Sequence, residues 1–283
     1  MSPFSTRFAP SPTGYLHRGH AVSALTAWRA AREANGRFIL RIEDIDVTRC
    51  RPQFEAAILE DLAWLGLTWE EPVRRQSEHM GDYEAALEQL RAGGLLYRCF
   101  RTRREIAEEI TRAPHGLTPA FVGSALANDE EAALLAEGRP FAWRLSLAAA
   151  RDRLGGFHGL NFVEDGRGDV AARPDLAGDI VLARKEVGVA YHLAVVVDDA
   201  LQGVNHVIRG EDLFEATHIQ RLLQALLGLP TPIYRHHRLL MGPDGKRFAK
   251  RDKAETLREL RAGGLSAQEL VAGLPLPEMG TPK

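Results

Sequence analysis

The sequence lacks the features that mark secreted disulfide scaffolds and membrane proteins. It has only two cysteines, Cys50 and Cys99, which can form neither a disulfide framework nor, by themselves, a four-cysteine metal site. Its longest aliphatic run, Leu193 to Val197, has five residues, whereas a membrane-spanning helix needs about 20. No basic and then apolar leader opens the chain. We therefore expect a cytoplasmic protein with no membrane association.

The chain also lacks an excess of one charge. Its 36 Lys and Arg residues oppose 38 Asp and Glu residues, which gives a formal net charge of −2. Contact with a nucleic acid would therefore require a local basic patch, because bulk charge provides no attraction. The 283 residues suffice for about two domains of roughly 150 residues each. With 45% hydrophobic and 26% charged residues, the composition is typical of a globular protein and favours an enzyme.

Several segments predict the elements of an α/β fold. Residues 4–9 favour a strand, the pattern from His17 to Asn35 predicts a helix, and Phe38 to Ile42 predict a second strand. Strand, glycine-containing loop, helix and strand in this order are typical of a doubly wound parallel sheet. Two apolar, β-branched segments at 179–184 and 191–197 predict further strands.

We predict a Rossmann-like α/β fold in four parts. Residues 1–95 and 178–240 would form the two halves of a catalytic domain, and residues 96–177 an inserted, acceptor-like α+β subdomain. Residues 241–283 would provide a basic loop and short helices.

A histidine pair stands where the first strand meets the first helix. In His17-x-Gly19-His20, backbone N–H groups at the helix start favour an anion, and Gly19 lets a ligand approach the backbone. Two imidazoles there can donate hydrogen bonds to phosphate oxygens. Taken alone, the motif is equally compatible with polar loop histidines or with a metal pair, although no third ligand cluster is evident.

A basic run, Lys246 to Arg251, lies on a loop far along the chain. From Thr231 to Lys253 there are seven Lys or Arg and two Asp. The run alone is compatible with a solvated basic loop. Combined with the histidine pair, it indicates a clamp on a nucleoside triphosphate, in which a lysine stabilises charge on the β- and γ-phosphates.

Four blocks of the sequence resemble the signatures of class I glutamyl-tRNA synthetases. They occur in the family's order, at Arg7–His20, Arg41–Asp46, His206–Asp212 and Gly245–Arg251. The resemblance implies the class I synthetase fold, with ATP as a substrate together with Mg²⁺.

The chain ends about 30 residues after Lys253, where a glutamyl-tRNA synthetase would continue into an anticodon-binding domain. The resemblance is therefore strongest to a truncated branch of the family, the glutamyl-Q tRNA(Asp) synthetases. It implies activation of L-glutamate without tRNA and transfer of glutamate to queuosine in the anticodon of tRNA(Asp); it implies nothing about protein partners. The alternatives are a short synthetase that charges a tRNA 3′ end, a catalytically degenerate tRNA-binding paralogue and a nucleotidyltransferase.

Matching positions imply a role for each residue of the site. The residues implied for the amino acid are Arg7, Phe8, Ala9, Pro10, Ser11, Glu43, Tyr191 and Arg209. Those implied for ATP are His17, Gly19, His20, Arg247 and Lys250, among which His17, His20 and Lys250 would be catalytic. Glu43 would hold the α-ammonium, and Arg7 and Arg209 the two carboxylates, since guanidinium grips a carboxylate in bidentate fashion. The structural alternatives are an Arg7–Glu43 salt bridge and a core phenol at Tyr191.

Three departures from the family pattern bear on these roles. Arg247 and Ala249 stand where the lysine signature has a lysine and a serine, and Ile45 replaces a common threonine.

The inserted subdomain has lost the residues that hold zinc in many relatives. Cys99 is retained, but Arg101, Phe121 and Ala125 stand where two cysteines and a tyrosine would fall. One thiolate cannot supply the four ligands of a structural Zn²⁺, and the spacing of His115 and His158 does not indicate a replacement site. We predict no metal ligands in the chain and no bound zinc.

Overall fold

A computed structural model describes residues 3–102, 104–106, 120–184, 188–240 and 255–277. The strands are β1 (Ser5–Phe8), β2 (Arg37–Ile42), β3 (Glu70–Arg75), β4 (Leu96–Cys99), β5 (Ala142–Leu145), β6 (Asn161–Glu164), β7 (Gly168–Ala171), β8 (Val181–Arg184), β9 (Gly188–Val189), β10 (His206–Gly210) and β11 (Ile233–His237).

The helices are α1 (Arg18–Glu33), α2 (Pro52–Trp64), α3 (Met80–Ala92), α4 (Asn128–Ala136), α5 (Leu147–Leu154), α6 (Tyr191–Leu201), α7 (Phe214–Leu227), α8 (Leu257–Ala262) and α9 (Ala267–Ala272). Single 3₁₀ turns lie at Gln76–His79, Pro174–Ala177 and Glu211–Leu213. Across the described residues, no helix is both long and apolar enough to cross a membrane.

Parallel strands form the centre of the molecule. Strand β2 pairs in parallel with β1 and β3, and β11 pairs in parallel with β10. The backbone N–H of Asn205, just before β10, donates to the Ser5 carbonyl oxygen at 3.1 Å, and the Ser5 N–H donates to Asn205 Oδ1 at 2.8 Å. These contacts place β10 beside β1 in the spatial order β3-β2-β1-β10-β11. The predicted doubly wound arrangement is confirmed.

The two faces of this sheet are covered by different helices. Buried side chains of α1, α2, α8 and α9 form one core cluster, and those of α3, α6 and α7 form the other. The predicted helical segment near the carboxyl end is present as α8 and α9, each of which begins with a Ser or Thr capping box.

An antiparallel sheet accompanies the parallel one. Its strand order is β4-β5-β8-β9, while β6 and β7 form a hairpin whose β6 joins the edge of β11. The boundaries at 95, 177 and 240 stay predictions. Strand pairing crosses one of them, because β8 at residues 181–184 pairs with β5.

The strand predicted at 191–197 is wrong, because these residues form the first part of α6. Residues 193–199 are buried all along this helix, so the polar face that produces a helical period is missing. The three valines at 195–197 favour a strand, but β-branched residues cost a helix only a few tenths of a kcal/mol each. Packing against α3 and α7 outweighs that preference.

Candidate active site

A cleft of about 370 Å³ opens at the carboxyl ends of β1, β2 and β10. Its lining residues are Arg7, Phe8, Ala9, His17, Gly19, His20, Ser23, Glu43, Tyr191, Ile208, Arg209, Gly210, Asp212, Leu213, His237, Leu239 and Leu240. This is the edge of an open α/β sheet where ligands bind, at the point where the strand order reverses.

Two further cavities continue this cleft. One of about 420 Å³ is lined by Pro10 and Ser11, and one of about 330 Å³ by Ser11 and Asp46. Both share Glu43 and Tyr191 with the first cavity. The three cavities are therefore parts of one cleft, with Glu43 and Tyr191 at their junction.

The structure thus brings together, at this cleft, all the described residues that the sequence analysis assigned to glutamate and ATP. Arg247 and Lys250 lie outside the described residues. The described residues on either side of their segment lie at the cleft, because Leu240 lines it and Thr256 pairs with His17. The Leu257 N–H also donates to the Leu16 carbonyl oxygen at 2.8 Å.

The two histidines have matching hydrogen bonds at the start of α1. His17 is the N-cap, and its Nδ1 accepts from the Gly19 N–H at 3.1 Å, while His20 Nδ1 accepts from the His17 N–H at 3.1 Å. Because each Nδ1 is an acceptor, each neutral ring carries its proton on Nε2. A Cβ at Gly19 would lie 3.0 Å from His17 Cε1, so a side chain at this position would crowd the His17 ring.

A buried charge network supports the floor of the cleft. Asp199 Oδ1 accepts from Arg7 Nε at 3.1 Å and pairs with Arg41 Nη1 at 2.9 Å. Arg41 Nη2 also lies 3.3 Å from Glu43 Oε1. Among the described residues, Arg7 pairs with Asp199 and Glu43 with Arg41, so the Arg7–Glu43 salt bridge does not form. Burial raises the pKa of Glu43 despite the two neighbouring guanidiniums.

The Arg209 guanidinium is hydrogen-bonded through two of its nitrogens. Its Nε donates to His236 Nε2 at 3.1 Å, and its Nη2 donates to Thr217 Oγ1 at 2.8 Å and to the Leu213 carbonyl oxygen at 3.2 Å. Its Nη1 is buried and has no hydrogen-bond partner among the described residues. An unpaired donor on a buried guanidinium that lines a cleft is suited to an anionic ligand.

Tyr191 begins α6 and is half-buried at the junction of the cavities. Burial raises the pKa of its phenol, which remains protonated and able to donate a hydrogen bond. It therefore lines the cleft and is not a fully buried core phenol.

Comparison with known proteins agrees with this geometry. The family described as tRNA synthetases class I (E and Q), catalytic domain, matches residues 3–281. The chain belongs to this family. A glutamyl-Q tRNA(Asp) synthetase of Rhodobacter capsulatus is 48% identical over 94% of this chain and 97% of that protein. One from Symbiobacterium thermophilum is 43% identical over 95% and 84% of the two chains.

Longer synthetases are similar as well. A glutamate–tRNA ligase 2 of Dinoroseobacter shibae is 40% identical over 95% of this chain and 60% of that protein. The crystal structure of a glutamate tRNA ligase from Elizabethkingia meningosepticum, in complex with its amino acid, matches with a TM-score of 0.75 and 30% identity, over 89% of this chain and 52% of that one. The chain is thus a class I synthetase-type ligase, for which ATP is a substrate.

Sequence reasoning missed four side chains of this synthetase cleft. Arg41 and Asp199 form the buried network, and Ser23 Oγ lies 3.0 Å from His237 Nε2 at the cavity wall. Two signals were available. Arg41 is two residues from Glu43, and an aspartate inside an apolar run needs a buried partner.

Asp179 connects segments around the antiparallel sheet. Its carboxylate accepts from the Tyr97 hydroxyl and from the N–H groups of Gly123 and Leu147, each at 2.9 Å. Within the described part of the chain, no group of three or more His, Cys, Asp or Glu side chains could hold a metal ion. Whether purified protein carries zinc stays a prediction.

Proposed function

We propose that this chain activates L-glutamate with ATP to form glutamyl-adenylate, without requiring tRNA, and transfers the glutamyl group to queuosine in the anticodon of tRNA(Asp). The observation that carries the proposal is one cleft that combines a phosphate-suited helix start with a two-sided amino-acid pocket. The names of the relatives that match nearly end to end support the queuosine acceptor. Two free cysteines are compatible with a cytoplasmic location.

Glutamate would bind between the two halves of the sheet. Glu43 offers a carboxylate to the α-ammonium, and the bound cation in turn favours ionisation of this buried acid. Arg209 Nη1, for which the described part of the chain offers no partner, would pair with one glutamate carboxylate. Arg7, already fixed through Nε by Asp199, would direct its remaining donors at the other. Phe8, Ala9, Pro10, Ser11 and Tyr191 would complete the pocket.

ATP would lie over the start of α1. The Nε2–H groups of His17 and His20 would donate to phosphate oxygens, and Gly19 would admit them to the helix N-terminus. A glutamate carboxylate oxygen attacks the α-phosphorus, a P–O bond forms, and the bond to the departing pyrophosphate breaks. Mg²⁺ would enter on the phosphates of ATP and neutralise their charge. The acceptor nucleoside then attacks the acyl carbon, and AMP leaves.

Lys250 and Arg247 would contribute positive charge at the β- and γ-phosphates. Lys250 precedes Thr256 by six residues, a span of at most about 20 Å when fully extended. Since Thr256 pairs with His17, this tether supports placing the Lys250 ammonium within reach of the histidine pair.

The decisive first assay is ATP–pyrophosphate exchange with glutamate, aspartate and glutamine, with and without tRNA. We expect exchange with glutamate but not with aspartate or glutamine, and we expect it whether or not tRNA is present. Glutamine would present an NH₂ donor to a guanidinium that has only donors, a mismatch of about 2–5 kcal/mol, or some 30- to several-thousand-fold. Aspartate is one methylene too short to reach both groups. Equal exchange with glutamine would contradict the arginine pairing.

The acceptor is tested separately with labelled glutamate. We expect label on tRNA(Asp) that contains queuosine, including tRNA trimmed of its 3′-terminal adenosine, and none on queuosine-free tRNA. Label that requires the terminal adenosine would instead indicate a short glutamyl-tRNA synthetase. Glutamate activation that occurs only with tRNA would also favour that alternative.

A further inference from the structure

Behind Arg209, the imidazole of His236 and the carboxylate of Glu164 form a line of hydrogen bonds that crosses the neighbouring strands β10, β11 and β6. His236 on β11 accepts from Arg209 Nε through its Nε2 at 3.1 Å, and its Nδ1 lies 2.8 Å from Glu164 Oε2 at the end of β6. The side chains of His236 and Glu164 are 1% and 2% exposed. Neither side chain lines the cleft described above, so both act on a ligand only through Arg209.

The contact with Arg209 determines which nitrogen of His236 carries the ring proton, and Thr217 Oγ1 lies 3.3 Å from the same Nε2. Arginine has only donors, so His236 Nε2 must be an acceptor, and the ring proton must therefore lie on Nδ1. That N–H donates to Glu164 Oε2, while Glu164 Oε1 accepts from the His236 backbone N–H at 2.8 Å. A carboxylate can accept on both oxygens. The line can therefore hold Arg209 in this orientation as long as His236 is neutral, and it cannot do so when His236 is protonated.

The surroundings of His236 favour the neutral ring. The Phe214 ring packs edge-on with its centroid 5.2 Å away, and the Tyr234 ring stacks at 6.1 Å. Burial lowers the pKa of His236, Arg209 and His237 lower it further, and Glu164 opposes them. His218 on α7 also faces this group and has its own pKa lowered by burial.

We propose that Glu164 and His236 are positioning residues that fix Arg209 for the carboxylate of the bound amino acid, and that protonation of His236 releases it. The proposal rests on the proposed function, in which Arg209 binds glutamate. A protonated ring would direct Nε2–H at Arg209 Nε–H, so two donors and two positive charges would face each other. Loss of the contact frees Arg209 to leave the orientation in which Nη1 is available.

Glu164→Gln tests the line with the smallest change in shape. The amide has one accepting oxygen, so it cannot accept from both the backbone N–H and the Nδ1–H of His236. Either one donor loses its partner, or the ring takes the other tautomer and presents N–H to Arg209. We expect KM for glutamate in ATP–pyrophosphate exchange to rise roughly 10- to 100-fold, the range for losing a hydrogen bond to a charged group. KM for ATP and kcat should change less than about threefold.

Two substitutions of His236 separate its two contacts. His236→Asn places an amide near Nδ1, where it can still donate to Glu164 but cannot reach Arg209, so KM for glutamate should rise as in Glu164→Gln. The amide oxygen of His236→Gln reaches the Nε2 position and can accept from Arg209, so KM should lie closer to wild type. His206→Gln is the matched control, because His206 is a partly buried histidine on β10 that stacks on Phe4, away from the cleft.

A pH profile supplies a readout that a merely structural role would not move. As the pH falls below about 6.5, the ordinary pKa of histidine, protonation of His236 should lower kcat/KM for glutamate in wild type and in His206→Gln. In His236→Gln this component should disappear, which leaves the shallower decline due to protonation of Glu43. kcat/KM for ATP should lack the His236 component in every variant.

The outcomes distinguish the two proposals. Absence of glutamate exchange by the wild type refutes the proposed function itself. Active wild type with unchanged KM for glutamate in Glu164→Gln and His236→Asn overturns the positioning role. Equal increases of KM for glutamate and for ATP, together with a lower urea midpoint, would show a structural role only and would also overturn it.

Discussion

Asp61 on α2 is a buried carboxylate that should destabilise the folded protein at neutral pH. It is 0% exposed, and neither carboxylate oxygen accepts a hydrogen bond from any residue that the structure describes. Its nearest cation is Arg261 on α8, whose Nη2 lies 3.7 Å from Oδ1 and which also pairs with Glu60 at 3.0 Å. Burial, opposed by Arg261, raises the pKa of Asp61 from 3.8 to about 6.

This shift sets the size and the sign of the effect. The folded state binds the proton more tightly than the unfolded state, so stability falls as pH rises from about 3.8 to 6 and the deficit is complete above pH 6. A pKa raised from 3.8 to about 6 corresponds to about 3 kcal/mol at most. Asp61→Asn removes the charge at constant shape. We expect it to stabilise the protein by about 1–3 kcal/mol at pH 7, and by about 0.5 kcal/mol at pH 4.

Urea unfolding of wild type and Asp61→Asn at pH 4, 5, 6 and 7 measures this difference. Glu60→Gln is the control, because Glu60 lies on the same helix and pairs with the same Arg261, but its side chain is 63% exposed. Its free energy of unfolding should change by less than about 1 kcal/mol. A variant Asp61→Asn that is less stable at pH 7, or whose gain does not shrink on acidification, would refute the reasoning.

Four further predictions follow from the site and its surroundings. Lys250→Ala should slow ATP–pyrophosphate exchange roughly 100-fold or more, and an unchanged rate would assign the phosphate role elsewhere in the basic loop. Asp199→Asn should cost about 3–5 kcal/mol in urea unfolding, because it leaves the Arg7 and Arg41 guanidiniums without their shared buried carboxylate. Burial lowers the pKa of His192 from 6.5 to about 4, and the unfolded chain therefore takes up this proton first. From pH 7 to 5, wild type should accordingly lose about 2 kcal/mol more than His192→Gln. Elemental analysis should find no stoichiometric zinc in purified protein; one tightly held zinc per chain would show that the insertion was misinterpreted.

Local patterns sufficed for the parts of the fold whose elements have a distinctive period. The first strand, α1 and β2 were predicted because apolar positions, the histidine N-cap region and Asn35 agree on the same boundaries. Strand β3 was missed, since its sequence Glu-Glu-Pro-Val-Arg-Arg has no alternation of apolar residues. It is a strand because it pairs with β2 at the edge of the sheet. This pairing depends on the tertiary structure and cannot be derived from the local sequence of β3.

The candidate site likewise contains residues that local sequence identifies and residues that depend on tertiary contacts. Residues in the family blocks were identified because each block is contiguous in sequence. The supporting side chains were not, because their partners are distant: Asp199 follows Arg7 by 192 residues, and Glu164 precedes His236 by 72. Which carboxylate compensates which guanidinium is decided only when β1, β6, β10 and α6 come together.

The contact between β1 and β10 makes the site a joint between two distant parts of the chain. Arg7 and Glu43 line the cleft on one side of that joint, and Tyr191 and Arg209 line it on the other. A glutamate held as proposed would therefore bridge both parts with its own charges. At 100 times its Kd, such a ligand would add about 2.7 kcal/mol to the free energy of unfolding. Bound substrate would thus add its own ion pairs to the contacts that already join these two parts, which include Arg7–Asp199 and Ser5–Asn205.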